Sequence, residues 1–297
     1  MRIAVTGASG LIGSALVPHL RSVGHDVVQL VRRAPSAPDE IRWNPAAGEV
    51  DLAALEGVEG IVNLSGAGVG DHRWTDDYKR TILTSRVECT RTIADAAARL
   101  QQRPRVLVSA SAIGYYGDTG DRAVDESAPA GSGFLPEVVQ AWEAAADPAR
   151  EAGIRVAHPR TGLVVSAKGG AWARMFPLFK LGLGGKLGSG RQYWSWISLR
   201  DEVCALQFLL EQEHLSGPVN LTGPAPATNA EITHVMGREL GRPTLIAAPS
   251  FALKAVLGEF SSEVLGSARV LPKVLEDAQF RFQDPTIDAA VRTALTA

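Results

Sequence analysis

The first thirteen residues, MRIAVTGASGLIG, constrain this chain more than any other stretch. Ile3, Ala4 and Val5 make a short buried-strand run, and Gly7, Gly10 and Gly13 break it. Leu11, Ile12, Ala15, Leu16 and Leu20 then recur at helical spacing. In this order of strand, glycine turn and helix, each glycine has its own task. One allows positive φ, one lets backbone approach a phosphate, and one lets the helix pack closely on the sheet. The free N–H groups and positive dipole end of the helix then attract an anion. Gly7, Ser9, Gly10, Leu11, Ile12 and Gly13 are therefore expected to hold the diphosphate of a dinucleotide.

A second strand, Val27, Val28, Leu30 and Val31, ends at Arg32 and Arg33. An acidic residue at this offset binds a ribose 2′-OH, whereas an arginine accommodates a 2′-phosphate. Two arginines here favour NADP(H) over NAD(H), against the plainer reading of two solvated charges at a strand end. Residues 60–64 read as another strand, and the small-residue turn Ser65-Gly66-Ala67-Gly68 at its carboxyl end is expected to face the cofactor.

Residues 78–100 have the spacing of a long helix, with Ser85-Arg86 near its middle. Val106, Leu107 and Val108 form the next strand, followed by Ser109, Ala110, Ser111 and the loop Gly114-Tyr115-Tyr116-Gly117. Ser111 can hydrogen-bond a carbonyl or hydroxyl; the tyrosines can donate, stack or wall a pocket. A helix over 134–150 and a strand over 154–157 lead to Pro159-Arg160-Thr161-Gly162.

This alternation implies an α/β fold: a Rossmann-type doubly wound parallel sheet over residues 1–165, with a later contribution from about 196–222. Residues 166–297 are expected to form a small, mainly helical C-terminal domain on the substrate side. Glycines at 169–170, 182–185 and 188–190 interleave with Trp172, Met175, Phe176 and Phe179, which suits either a substrate-covering loop or a helix packed on the core. A partner-binding surface made of Trp172, Trp194 and Trp196 is a further reading. Asn229 is placed to cap a helix running through Leu240.

The net charge of -2 carries no basic excess that would point to nucleic acid or an anionic membrane. A strand beginning at Arg2 leaves no room for a leader, and no apolar run is long enough to span a bilayer, so a cytoplasmic location is expected. Cys89 and Cys204 stand alone and read as small buried hydrophobes. The histidines are scattered, so no metal site is expected.

Thr6-Gly7 through Gly13, Ser109 to Ser111 with Tyr116-Gly117, Asp125-Glu126 with Pro129, and Gly188-Ser189-Gly190 before Trp196-Ile197 resemble the extended short-chain dehydrogenase/reductases, the NAD-dependent epimerase/dehydratase group. Asn63-Leu64 with Gly66, Arg73-Trp74, Ser85-Arg86, Trp142-Glu143, Gly184-Gly185, Gln192, Gly258-Glu259 and Pro272 resemble more closely its atypical branch. Those relatives carry a C-terminal domain of unknown function and are sometimes labelled cell-division inhibitors. The resemblance implies cofactor contacts from Arg32 to the 2′-phosphate, from the backbone at Leu64 and Ser65, from Arg86, and from the backbone between Thr161 and Leu163.

That family works through a Tyr and a Lys four residues apart on the helix after the Asp-Glu turn. No such pair exists here, because residues 118–167 contain neither Tyr nor Lys. Counting back from Glu143 puts Leu135 and Val139 in those places, continuing an apolar stripe with Trp142. Ser111 with Tyr116, or Tyr115 in its stead, is left to supply an acid, with Lys79 or Arg86 nearby. Two functions follow: an NADP(H)-dependent oxidoreductase or epimerase-like enzyme on a small polar, sugar-like substrate, or an idle NADP(H)-binding sensor or regulatory module. The helices over 78–100 and 134–150 are those through which relatives pair, which makes a homodimer the expected assembly.

Overall fold

A computed structural model describes residues 1–296. Its first half runs β1 (Arg2–Thr6), α1 (Leu11–Ser22), β2 (Asp26–Val31), β3 (Glu40–Asn44), β4 (Glu49–Val50), α2 (Leu52–Leu55), β5 (Gly60–Asn63) and α3 (Asp76–Arg99). Then follow β6 (Val106–Ser109), β7 (Ser111–Ala112), β8 (Ala123–Val124), α4 (Phe134–Ala144), α5 (Asp147–Glu151), β9 (Arg155–Thr161) and β10 (Leu163–Val165). The remainder is α6 (Gly170–Lys180), β11 (Tyr193–Trp194), β12 (Trp196–Ser198), α7 (Leu199–Glu211), β13 (Gly217–Leu221), β14 (Ala227–Thr228) and α8 (Asn229–Leu240). It closes with α9 (Ser250–Leu257), α10 (Ser261–Leu265), β15 (Arg269–Val270), α11 (Lys273–Asp277) and α12 (Ile287–Thr296).

The main sheet has the order β13-β9-β6-β5-β1-β2-β3-β4, and β7 continues the pairing with β9 beyond the end of β6. Every pairing is parallel except β3 with β4. Strands buried on both faces need apolar residues at successive positions. In β1, Ile3 and Val5 enter one core with Leu16 and Leu20 of α1 and Leu206 of α7. Ala4 enters the opposite core with Ile61, Ile93 and Leu107. The strand order reverses between β1 and β5, where Thr6 lies opposite Asn63. In open parallel sheets, such a switch point is where ligands bind, beyond the carboxyl ends of the strands.

A third core unites Trp172, Phe176 and Phe179 of α6 with Trp194, Trp196 and Met236. These aromatics are thus the packing of a second lobe, neither a covering loop nor a partner surface. Later chain also returns to the main sheet: β13 forms its edge, and Leu275 of α11 joins the core beneath α1 and α7.

Three local readings change. The helix expected over 134–150 divides after Ala144, and Pro148, which has no N–H to donate, stands at the start of α5. The cap of α8 is Thr228, in a reciprocal capping box with Glu231; Asn229 instead accepts the Leu187 N–H at 2.8 Å. Residues 40–44, unassigned from sequence, alternate Ile41 and Trp43 inward as β3. Cys89 is buried and Cys204 partly buried, both free. Among the described residues there is no metal-ligand cluster, and no helix is long and apolar enough to cross a membrane.

Candidate functional site

The glycine turn divides its labour as its spacing requires. Gly7 has φ +69°, and a Cβ there would stand 2.8 Å from the Leu64 carbonyl carbon. At Gly13 a Cβ would stand 2.2 Å from the Gly7 oxygen. Both positions are closed by the protein's own backbone. Gly10 differs, since a Cβ there would meet only the Gly7 oxygen, at 3.3 Å, so the space beside it is otherwise open. No side chain caps α1. The Gly10 N–H turns back to the Gly7 oxygen at 3.0 Å, while those of Leu11 and Ile12 lack a protein partner among the described residues. Ser9 is exposed alongside.

Buried hydrogen bonds tie this turn to its neighbours. Thr6 Oγ1 donates to Asn63 Oδ1 at 2.7 Å, and Asn63 Nδ2 donates to Thr90 Oγ1 on α3 at 2.8 Å. The Leu64 N–H and the Ser65 hydroxyl both return to Thr6 Oγ1. Leu64 and Ser65 are thereby fixed against the glycine turn. Beside Gly66 lies Arg86, whose side chain would crowd a Cβ at 3.1 Å. Arg86 is buried over the Trp142 ring, with its recorded hydrogen bond to the Ile82 carbonyl and no carboxylate partner among the described residues. Burial lowers its pKa to about 10. A buried cation without a counter-charge is costly, and an anion placed over Gly66 would relieve it.

At the end of β2 the two arginines separate. Arg33 pairs with Glu40 of β3, which burial alone would not favour but which the guanidinium and the Ser36 N–H hold at about 2. Arg32 is exposed and has no hydrogen bond or ion pair among the described residues. Thr161 and Leu163 stand at the carboxyl end of β9 and the start of β10. There the Thr161 hydroxyl donates to Glu202 Oε1 at 2.8 Å. Glu202 is fully buried and its Oε2 lacks a partner, so desolvation pushes its pKa up to about 8.

Ser111 and Tyr116 belong to one buried cluster. Ser111 Oγ donates to Glu143 Oε1 at 2.6 Å. Arg160 grips both Glu143 oxygens, at 2.8 and 2.9 Å, and donates to Tyr116 Oη at 3.1 Å. Tyr116 Oη in turn donates to Asn220 Oδ1 at 2.7 Å. Burial opposes the charge on Glu143, but the Arg160 hydrogen bonds and charge outweigh it and hold its pKa below the ordinary range. Tyr116 is raised, chiefly by burial. Tyr116 is therefore a holder of Arg160, not a free acid; the partly exposed phenol is Tyr115, whose ring lies 3.4 Å under the Arg160 guanidinium. Lys79 is taken by Glu259 at 2.7 Å.

Glu143, Arg160 and Asn220 were not singled out as site residues from sequence. The available signal for Glu143 was its place four residues after Val139, on the stripe of Leu135 and Val139. Both of those pack against Gly114 and leave no polar group where the Tyr and Lys would stand.

A doubly wound parallel sheet whose switch point carries an uncapped helix start beneath an open glycine defines a Rossmann-type α/β protein. Residues 3–221 match the NAD dependent epimerase/dehydratase family, and residues 248–294 match a domain of unknown function, DUF1731. The chain belongs to the NAD dependent epimerase/dehydratase family. It is 50% identical over 295 residues to an epimerase family protein of Mycobacterium bovis, covering 99% of this chain and 97% of that one. It is 36% identical to a chloroplastic SDR39U1 homolog of Arabidopsis thaliana, covering 99% and 87%. The crystal structure of human epimerase family protein SDR39U1 with NADPH superposes with a TM-score of 0.91 at 32% identity, covering 100% of each chain.

Proposed function

We propose that this protein binds NADP(H) and is an epimerase-like oxidoreductase acting on a small, polar, sugar-like molecule. The observation that carries the cofactor reading is Arg32, unpaired at the end of β2 while Arg33 is engaged by Glu40. Arg32 would take the 2′-phosphate. The amides of Leu11 and Ile12 and the Arg86 cation would take the diphosphate, with Gly10 leaving room for it. A relative solved with NADPH supports the same choice. Bound nicotinamide supplies a hydride donor or acceptor. Ser111 Oγ donates its proton to the Glu143 carboxylate across 2.6 Å, and Arg160 keeps that carboxylate anionic. The Ser111 oxygen is thereby oriented to accept a hydrogen bond from a substrate hydroxyl.

A second reading, an NADP(H)-binding sensor without turnover, is favoured by one specific observation: Ser111 and Tyr116 are each 3% exposed and hydrogen-bonded within the protein. Calorimetry tests the shared cofactor claim. Arg32→Glu removes charge-assisted hydrogen bonds of about 1.5 to 3 kcal/mol each, so NADPH affinity falls by roughly one to two decades while NADH affinity stays. Equal loss for both nucleotides, or no heat with either, overturns it. NADPH oxidation across a panel of aldehydes, ketones and nucleotide sugars separates the two readings, since turnover abolished by Ser111→Ala supports the enzyme and uniform inertness supports the sensor.

A further inference from the structure

We propose that the apolar edge of the C-terminal lobe docks on an anionic lipid surface. Among the described residues, seven of the eight exposed large hydrophobic side chains fall within residues 178–183 and 245–256. Leu181 is 72% exposed, Leu245 90%, Phe251 76% and Val256 74%. The two segments run side by side. Leu187 and Ala248 form a parallel bridge, the Gly188 N–H donates to the Ala248 carbonyl at 2.8 Å, and the Ala248 N–H donates to the Lys186 carbonyl at 2.9 Å. The Leu183 N–H returns to Leu178 at 2.9 Å, which ties the end of α6 to the same edge. Helix α9, with the sequence SFALKAVL, has no buried residue. Only Ala252, Leu253 and Leu257 are partly covered, and the Phe251 and Val256 side chains stand open, so this apolar helix leaves a face without a partner.

The charges around this edge identify that partner. Lys180, Lys186, Arg242 and Lys254 are exposed, and none has an ion pair among the described residues. No Asp or Glu occurs between residues 152 and 200, nor between 240 and 258. The net charge of -2, which argues against an anionic surface when taken over the whole chain, is not shared by these two segments, which carry lysines and arginines and no acid. A second copy of the chain fits poorly, because a two-fold contact would set these cations against themselves with no acid in either segment to answer them. Side chains this exposed are free to insert into a deformable surface. Lysines that meet anionic headgroups while Leu and Phe enter the acyl boundary are the chemistry of interfacial binding.

Sedimentation of the full chain with phosphatidylcholine vesicles, with and without phosphatidylglycerol, tests this. The expected result is co-sedimentation with the anionic vesicles only, weakened by salt. Lys180→Gln, Lys186→Gln and Lys254→Gln should each lower partitioning about fivefold. Phe251→Ser should lower it while leaving the thermal midpoint and NADPH affinity in place, which separates failure here from failure of the cofactor reading. No co-sedimentation, or equal partitioning on neutral and anionic vesicles, overturns the proposal. So does a homodimer in light scattering that Phe251→Ser dissolves, since a second copy would then cover the edge.

Discussion

Glu143 and Arg160 hold each other inside the protein, and each is tolerable there only because of the other. The Arg160 side chain is 4% exposed and that of Glu143 15%, so neither charge can turn to water. Removing one partner strands the other, at a cost of about 3–5 kcal/mol, whereas replacing both with apolar groups of similar volume is commonly near neutral. Glu143→Ala should therefore lower the unfolding free energy in urea by about 3 kcal/mol or more. The pair Glu143→Met with Arg160→Met should recover most of that loss. If the single change is mild, the cluster does not hold β9 to α4 in the way its geometry requires. Glu202 presents the opposite case, a buried carboxyl with no cation and one hydroxyl partner, raised by desolvation to about 8. Its folded pKa lies above its unfolded one, so the folded state binds the proton more tightly. That contribution is full below about pH 4.5 and is lost as pH rises toward 8. Glu202→Gln keeps a partner for Thr161 and removes the titration. The variant should be more stable than the parent at pH 8, by on the order of 4 kcal/mol, with the difference closing near pH 4. Parallel denaturation curves across that range check it.

At the scale of elements, what could be read beforehand depended on whether the determining contacts were local. The strand, turn and helix of residues 2–22 were legible because most of their requirements are local: the positive φ of Gly7 and the closure of Gly13 by the Gly7 oxygen lie within the motif, and only the contact of Gly7 with Leu64 comes from elsewhere. The arginine pair after β2 was legible as a pair, but which arginine is free is decided by Glu40, on a strand left unassigned. That strand carried a period-two signal in Ile41 and Trp43, hidden by a polar, proline-containing approach. The Ser111 cluster lay furthest from view, since it joins β7, α4, β9 and β13 through residues up to 104 positions apart. Helix α8 shows the smallest slip, a cap misplaced by one residue because Thr228 and Asn229 are both good cap types. The structure spends Thr228 on the helix and Asn229 on the loop at Leu187. Thr228→Ala should cost about 1 kcal/mol, seen as a lowered urea midpoint with unchanged slope.

The whole molecule is bound together by chain that crosses between its lobes. The second half of the sequence contributes β13 to the edge of the main sheet, α7 to the face beside α1, and Leu275 to the core between them. Chain from the second half thus completes the core of the first lobe, so the two lobes should unfold in one cooperative transition, which a single calorimetric peak would show and two separated peaks would contradict. A ligand held across the switch point acts on that whole transition. At a hundred times its dissociation constant it adds about 2.7 kcal/mol, which for a chain of this size moves the midpoint by about 4 °C. NADPH should produce that shift. NADH at the same concentration, bound one to two decades more weakly if Arg32 reads the 2′-phosphate, should produce roughly half of it or less. In the Arg32→Glu protein the two shifts should converge on the smaller value. A melting series with both nucleotides therefore reports on a single exposed side chain through the stability of the entire fold, because that fold leaves Arg32 without a partner of its own among the described residues.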